Sequence, residues 1–126
     1  MTSVNSMVIA QRNSVPVFVT KDTSIIRELL APRCAPGVIA AQSLAEATLP
    51  PGASTQPHYH PITEEIYYIL SGSGLMRFPD CEHRVVPGDA IAIPPGTPHQ
   101  LINKGDGELV LLCCCAPAYS DDDTVI

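Results

Sequence analysis

The chain has 126 residues, 45% of them hydrophobic, and a formal net charge of −6. This length suits one hydrophobic core. The seven basic residues are scattered along the chain, so no basic stripe is available to bind nucleic acid. A run of about eighteen apolar residues is absent, which excludes a membrane-spanning helix and a membrane partner. The N-terminus also lacks the pattern of a secretory signal, and we expect a cytoplasmic protein.

Thirteen prolines and eight glycines divide the sequence into short apolar stretches that are typical of β-strands. In chain order, the predicted strands cover residues 15–20, 25–30, 38–49, 55–60, 65–70, 74–79, 83–86, 90–93, 98–103 and 108–116. Short strands at even spacing favour an all-β barrel or a double-sheet jelly roll with little helix. The run Lys104-Gly105-Asp106-Gly107 predicts a hairpin turn between the last two strands, since Asp-Gly tolerates positive φ.

A first motif combines two histidines and a glutamate with framing glycines. Gaps of five, one, four and six residues separate its successive members, which are Gly52, His58, His60, Glu65 and Gly72. Alternate residues of a strand share a face, so His58 and His60 are expected to point the same way. The turn Pro61-Ile62-Thr63 follows them. If the strands on its two sides pair as a hairpin, Glu65 faces both histidines.

A second motif supplies a third histidine. Gaps of five, one, two and three residues separate Gly88, Pro94, Gly96, His99 and Asn103. His99 follows a rigid proline-rich corner, and a closed barrel would bring its strand into the same interior as the first motif. Three imidazoles and one carboxylate form a suitable ligand set for a divalent transition metal. Asn103 is expected to form hydrogen bonds at the end of its strand.

These positions resemble the two motifs of the cupin superfamily, and every specified residue matches. Motif 1 covers residues 52–72 and motif 2 covers residues 88–103. The fifteen residues between them are typical of a small single-domain bacterial cupin. The resemblance implies an all-β fold, the double-stranded β-helix or jelly-roll barrel, with residues 1–126 forming one domain. Within it, residues 1–14 would be an N-terminal arm and residues 117–126 a C-terminal tail.

The same resemblance assigns roles to individual residues. The implied metal ligands are His58, His60, Glu65 and His99. The implied turn and corner residues are Gly52, Gly72, Gly88, Pro94 and Gly96. We therefore expect one divalent transition metal ion per chain, with iron, manganese, nickel, zinc and copper all compatible with the ligand set.

Cupins include dioxygenases, isomerases, decarboxylases, lyases, cyclases and non-enzymatic binding proteins, so the family leaves the activity open. Four ligands leave one or two positions for water or substrate on a five- or six-coordinate ion. We favour a small metalloenzyme that acts on an oxygen-rich small organic molecule, by oxidoreductase chemistry of the dioxygenase type or by isomerase, lyase or cyclase chemistry. The alternative is a non-catalytic, metal-dependent module that binds or senses a small molecule.

Strand parity predicts further residues of a substrate cavity. Tyr67 and Ile69 share the face of Glu65, and Tyr67 is either a catalytic acid or only a wall residue. Gln56 shares the parity of His58, and Met76 is expected to add to an apolar wall. Glu64 should face the opposite side of its strand and be solvated.

The five cysteines and the acidic C-terminus are interpreted as structural features. The cysteines are odd in number and lack the spacing of thiolate metal sites, so they are expected to stay reduced. Within the run 113–115, Cys114 should oppose its two neighbours. The run Asp121-Asp122-Asp123 predicts a solvated tail. The segment before it could dock on the barrel with Tyr119 as an anchor.

A homodimer is expected from the apolar composition. One small barrel with a metal cavity has little room for all apolar residues of the predicted early strands, namely Ile25, Ile26, Leu29, Leu30, Val38 and Ile39. Neighbouring residues of a strand point to opposite faces, so one face would be apolar and exposed unless a second subunit covers it. The resemblance to small cupins, which commonly pair through N-terminal strands, points the same way.

Overall fold

A computed structural model describes residues 7–126, so part of the predicted N-terminal arm, residues 1–6, lies outside the described residues. Nine strands follow in chain order: β1 Phe18–Val19, β2 Ile25–Leu30, β3 Ser43–Leu49, β4 Glu64–Ser71, β5 Gly74–Phe78, β6 Cys81–Val85, β7 Ala90–Ile93, β8 Gln100–Ile102 and β9 Leu109–Ala116. Two short 3₁₀ turns, Arg12–Ser14 and Asp121–Asp123, are the helical elements of this part of the chain. No helix within residues 7–126 is long and apolar enough to cross a membrane.

The strands form two antiparallel sheets, in agreement with the predicted all-β fold. The larger sheet has the order β1-β2-β3-β9-β4-β7 and the smaller one the order β6-β5-β8. Large apolar side chains fill the space between the sheets and are at most 2% exposed; they are Leu49, Ile69, Met76, Leu101, Leu109 and Leu111. This core supports one end of the barrel and leaves the polar interior described below at the other.

Alternation along β4 and β9 decides which side chains enter the barrel. Glu65, Tyr67 and Ile69 are buried, whereas Glu64 and Ile66 are exposed, as the period of two requires. Strand β9 lies beside β4 and follows the same rule, so that Cys113 and Cys115 are buried and Cys114 is exposed, as predicted. None of the five cysteines is in a disulfide.

Four predicted strand features are wrong. Residues 38–42 precede β3 in turn and coil rather than extending it, and residues 55–60 contribute only isolated bridges, from His58 to His99 and from Tyr59 to Val125, instead of a strand. The expected hairpin between the His58 segment and β4 is absent among the described residues, because β4 pairs with β7 and β9. Residues 104–107 do not close a hairpin either, since they connect β8 of the smaller sheet to β9 of the larger one.

The glycines of the two motifs do occupy turns. Gly52, Gly72, Gly88 and Gly96 all have positive φ, a region that other residues avoid. At Gly72 a second constraint applies, because an added Cβ would collide with the backbone of Glu108 and Leu109. The turn after β4 is therefore restricted to glycine by both conformation and space.

The C-terminal segment packs on the barrel around Tyr119, as predicted, and the prediction of a solvated acidic run is wrong only for Asp123, since Asp121 and Asp122 are exposed. The Tyr119 amide donates to the Ser43 hydroxyl at 2.9 Å, and Thr124 is 1% exposed. The Asp123 carboxylate accepts from the amides of Ile62 and Thr63, at distances down to 2.9 Å. Backbone amides in this turn have no strand partner, and the acidic side chain satisfies them.

Candidate metal centre

The three motif histidines and Glu65 meet inside the barrel. The backbones of His58 and His99 hydrogen-bond to each other in both directions, at 3.0 and 2.8 Å, so the two imidazoles enter side by side. His60 follows two residues later, and Glu65 is the first inward residue of β4. One ligand atom from each residue lies within 4.8 Å of all the others, and all four side chains are buried.

Backbone carbonyls fix the tautomer of each imidazole. Nδ1 of His58 lies 2.7 Å from the Gln56 carbonyl oxygen, and Nδ1 of His99 lies 2.8 Å from that of Thr97. Nδ1 of His60 lies 3.1 Å from the carbonyl oxygen of Asp123, in the C-terminal segment. A carbonyl oxygen only accepts, so each Nδ1 donates, and each neutral ring presents the lone pair of Nε2 to the interior.

The centre therefore contains acceptors without donors. Glu65 Oε1 lies 3.3 Å from His60 Nε2 and 3.6 Å from His99 Nε2. Within residues 7–126, no hydrogen-bond donor reaches Glu65 Oε1 or the Nε2 atoms of His58 and His99. Buried polar atoms without partners are costly, and a cation at their common point removes the cost. The residues present thus fit a divalent metal ion, and the cluster can hold one.

The charges of the apoprotein agree with this arrangement. Burial raises the pKa of Glu65, but the adjacent imidazoles of His60 and His99 lower it further, to a net value of about 2. Burial lowers the pKa of His58. Burial also acts to lower the pKa of His60, but the neighbouring Glu65 carboxylate outweighs it, so the pKa of His60 is raised. Glu65 is accordingly an anion at neutral pH and is the formal negative charge within this four-residue cluster.

The second oxygen of Glu65 has a partner that the sequence did not reveal. The Cys115 thiol donates to Glu65 Oε2 at 3.3 Å from the neighbouring strand β9. Burial and the Glu65 charge raise the pKa of Cys115 strongly, so the sulfur stays protonated and is a donor rather than a ligand. The pairing of Glu65 with Cys115 across β4 and β9 depends on the tertiary fold, and no local sequence signal indicates it.

A cavity opens beside the cluster. It is lined mainly by the inner face of the larger sheet and by the turn between β1 and β2. Its water-accessible volume is about 40 Å³, enough for a few water molecules. The walls are mostly apolar, but Asp22, Glu28 and Glu65 add carboxylates to them. In the described part of the chain, no lysine or arginine lines it.

Of the four predicted cavity residues, only Tyr67 lines this space. Ile69 on β4 and Met76 on β5 are each 1% exposed and belong to the hydrophobic core at the packed end of the barrel. Gln56 is exposed, since Pro57 bends the chain there and breaks the strand parity assumed for it. Its backbone nevertheless orients His58 through the carbonyl oxygen.

Tyr67 lies next to the cluster, with its ring centroid 6.0 Å from that of His99. Burial, followed by the charge of Glu65, raises the pKa of Tyr67 well above its ordinary value. The phenol therefore keeps its proton at neutral pH and is available as a hydrogen-bond donor.

The cavity continues towards solvent past Phe18, Glu28 and Tyr119, which also line an outer groove. Arg33 lies in that groove, bound to the Glu28 carboxylate, with its guanidinium 5.4 Å from the centroid of the Phe18 ring. Tyr119 approaches the cluster edge-on, with 5.9 Å between its ring centroid and that of His60. The C-terminal segment thus helps to form the entrance and also supplies the carbonyl oxygen that orients His60.

The fold and the cluster define a barrel protein with a buried histidine–glutamate centre. The cupin domain family matches residues 45–115, which span both motifs, and the chain belongs to this family. An uncharacterised protein of Methanocaldococcus jannaschii, MJ1618, is 50% identical over 114 residues, which cover 90% of each chain.

Solved structures agree on the architecture. The polyketide cyclase RemF of Streptomyces resistomycificus is 27% identical, with a TM-score of 0.77, over 88% of this chain and 80% of the cyclase. A predicted oxalate decarboxylase of Thermotoga maritima is 23% identical, with a TM-score of 0.76, over 87% of this chain and 99% of its own. At its level of identity, the second comparison supports the fold alone.

Proposed function

We propose that the protein is a metal-dependent enzyme that acts on an uncharged, oxygen-bearing small organic molecule. His58, His60, Glu65 and His99 would hold the metal ion, one per chain. The observation that supports this most directly is the convergence of four buried ligating groups, in which Glu65 Oε1 and the Nε2 atoms of His58 and His99 have no hydrogen-bond donor among the described residues. A bound divalent ion would supply Lewis-acid polarisation of substrate oxygens and, with a redox-active metal, electron transfer.

The residues of the chain have separate tasks in this proposal. Carbonyl oxygens of Gln56, Thr97 and Asp123 hold the three imidazoles in one orientation and keep each Nε2 free of protons. The apolar walls exclude bulk water, which strengthens polar interactions with the substrate. Tyr67 offers a protonated phenol beside the cluster and is suited to donate a hydrogen bond to a substrate oxygen.

Cavity charge supports an uncharged substrate rather than an anion such as oxalate or a sugar phosphate. Asp22 and Glu65 face the cavity without a basic partner, and the basic group at the entrance, Arg33, is already bound to Glu28. With Asp22 and Glu65 balancing the charge of a bound divalent ion and no lysine or arginine in the lining, the loaded site would offer an anion no net positive charge. Hydroxyl or carbonyl oxygens can still bind a metal ion there. The likeness to a polyketide cyclase supports isomerase, lyase or cyclase chemistry over oxygenation.

The second candidate is a binding module that performs no reaction. The size of the cavity favours it, because about 40 Å³ of water-accessible volume leaves room for only a small group without rearrangement. Both candidates use the same metal ligands. They differ in whether a bound molecule is turned over.

Three measurements on metal-loaded protein test the substrate class and separate these candidates. In the Co²⁺ form, dihydroxyacetone, an uncharged probe, should perturb the visible absorption at lower concentration than oxalate, and the reverse order would contradict the substrate class. In D₂O, exchange of the dihydroxyacetone C–H protons, followed by NMR, would support proton-transfer chemistry if it disappears in His99→Ala. Oxygen uptake without exchange would indicate the dioxygenase branch. Binding with neither reaction would indicate the binding module.

A further inference from the structure

Asp22 is a buried carboxylate at the metal centre that belongs to neither sequence motif. It lies between β1 and β2, is 6% exposed and lines the cavity. One carboxylate oxygen, Oδ1, is fixed by the Thr20 hydroxyl at 2.5 Å and by the Ser24 amide at 3.1 Å. The other oxygen, Oδ2, lies 3.1 Å from Nε2 of His58.

When the His58 ring is neutral, no proton lies between its Nε2 atom and the Asp22 carboxylate. Nδ1 of His58 donates to the Gln56 carbonyl oxygen, so Nε2 presents a lone pair to the carboxylate. Within residues 7–126, no donor reaches this Nε2 atom, which is fully buried. Two acceptors at this distance repel each other, and a cation that both can bind converts the repulsion into attraction.

The distance itself matches neighbouring ligands of one metal ion. Ligand atoms about 2.1 Å from an octahedral ion and at right angles to each other are about 3.0 Å apart. The separation of 3.1 Å between Asp22 Oδ2 and His58 Nε2 is close to this value. Within the four-residue cluster, Glu65 Oε1 and His60 Nε2 are similarly spaced, at 3.3 Å.

We infer that Asp22 becomes a fifth ligand of the metal ion through Oδ2. Because it stands outside the group of four whose ligand atoms all lie within 4.8 Å of one another, its carboxylate must move towards the other ligands when the ion binds. This inference rests on the proposed metal site but not on any particular reaction. Two carboxylates would balance the charge of a divalent ion, and five protein ligands would leave one position of an octahedral ion for a substrate oxygen. Such a site should prefer manganese or ferrous iron, with their octahedral oxygen-rich shells, over the tetrahedral geometry of structural zinc sites.

The test compares Asp22→Asn with Glu46→Gln, which removes another buried carboxylate. Glu46 binds Arg12 and does not line the cavity, so its loss should leave metal affinity unchanged. Asp22→Asn retains an oxygen for Thr20 and Ser24 and should fold. Its Kd for Mn²⁺ should rise by about 10–100-fold or more, since the loss of a group that only contacts a metal ligand already has an effect of that size. The visible spectrum of its Co²⁺ form should also change, because one ligand atom is replaced.

Thr20→Val provides a second variant in which the charge stays. It removes the hydroxyl that orients Asp22 and should weaken Mn²⁺ binding less than Asp22→Asn does. Thermal unfolding of the apoproteins checks folding, and Asp22→Asn should be no less stable than wild type, since the repulsion with His58 is relieved.

Unchanged Mn²⁺ affinity in Asp22→Asn would overturn the inference. A weaker affinity with an unchanged Co²⁺ spectrum would also overturn it, because Asp22 would then act through charge alone. Failure of the wild-type protein to bind metal would overturn both the inference and the proposed function. Metal binding through Asp22 without turnover of any probe would instead leave the inference standing and contradict only the enzymatic proposal.

Discussion

His58 and His99 are 41 residues apart in sequence, yet each donates its backbone amide to the carbonyl oxygen of the other. This reciprocal pair joins the two motifs and sets their ring centroids 4.3 Å apart. Each imidazole is then locked by a carbonyl oxygen two residues earlier, in Gln56 and Thr97. The local chain on each side thus orients its own ligand, and the backbone pair brings the two ligands together.

The register of β4 predicts opposite effects for adjacent glutamates. Glu65→Gln should sharply lower metal content, because it removes the only negative charge among the four motif ligands. Glu64→Gln is the matched control, since Glu64 is exposed on the other face and should leave metal content near wild type. Elemental analysis of the two purified variants measures both. Loss of metal in Glu64→Gln with retention in Glu65→Gln would mean that the register is wrong by one residue.

Metal affinity should fall as the pH falls, because protons compete for the Nε2 lone pairs. Burial lowers and Glu65 raises the pKa of His60, with a net increase above 6.5, so competition at this residue should begin above pH 6.5. Glu65, with a pKa of about 2, remains ionised and does not contribute to the loss near neutrality. Titration calorimetry at several pH values measures the effect. An affinity that stays flat from about pH 8 to pH 4 would argue against a three-histidine site.

The C-terminal segment should stabilise both the fold and the metal site. Asp123→Ala removes the acceptor for the amides of Ile62 and Thr63, and we expect a loss of about 1 kcal/mol in the free energy of unfolding. Metal affinity should fall as well, because the lost side chain anchors the segment whose backbone carbonyl oxygen, which the variant retains, orients His60. Asp122→Ala is the control, since the Asp122 side chain is exposed. Equal effects of the two substitutions in urea unfolding and metal titration would contradict this role.

A homodimer remains a prediction, now with a defined surface. Ile66, Tyr68 and Leu70 alternate on the outer face of β4 and are 46%, 44% and 42% exposed. On the neighbouring strand β9, Cys114 is exposed beside Ile66. An apolar sheet face of this kind is suited to pair with its own copy about a two-fold axis. Light scattering should give about twice the chain mass of 13.4 kDa, and Tyr68→Lys should reduce it. A wild-type mass equal to that of one chain would exclude the dimer.

The part of the site that could be predicted follows from local spacing. His58, His60, Glu65 and His99 stand in motifs whose gaps match a known family, and β4 alternates regularly enough to separate Glu65 from Glu64. The prediction from strand alternation was wrong at Gln56, where the chain is irregular before Pro57, because a period of two holds only within a strand.

The residues that sequence analysis missed depend on tertiary contacts. Asp22 follows Thr20 in a polar turn that resembles any surface loop, and only the closed barrel places it against His58. Cys115 reaches Glu65 through strand pairing, and Asp123 reaches His60 because the C-terminus returns across the barrel. Since the partners are distant in sequence, short-range patterns contain no information about these contacts.

The buried cluster should bind one divalent metal ion per chain, and the metal stoichiometry of the purified protein measures this. Untagged protein, purified without added metal and then dialysed against Mn²⁺ or Zn²⁺, should retain close to one ion per chain by elemental analysis. His58→Ala, His60→Ala and His99→Ala should each retain far less, because every one removes an Nε2 ligand. A wild-type protein that retains no metal, or three variants that retain as much as wild type, would contradict the account.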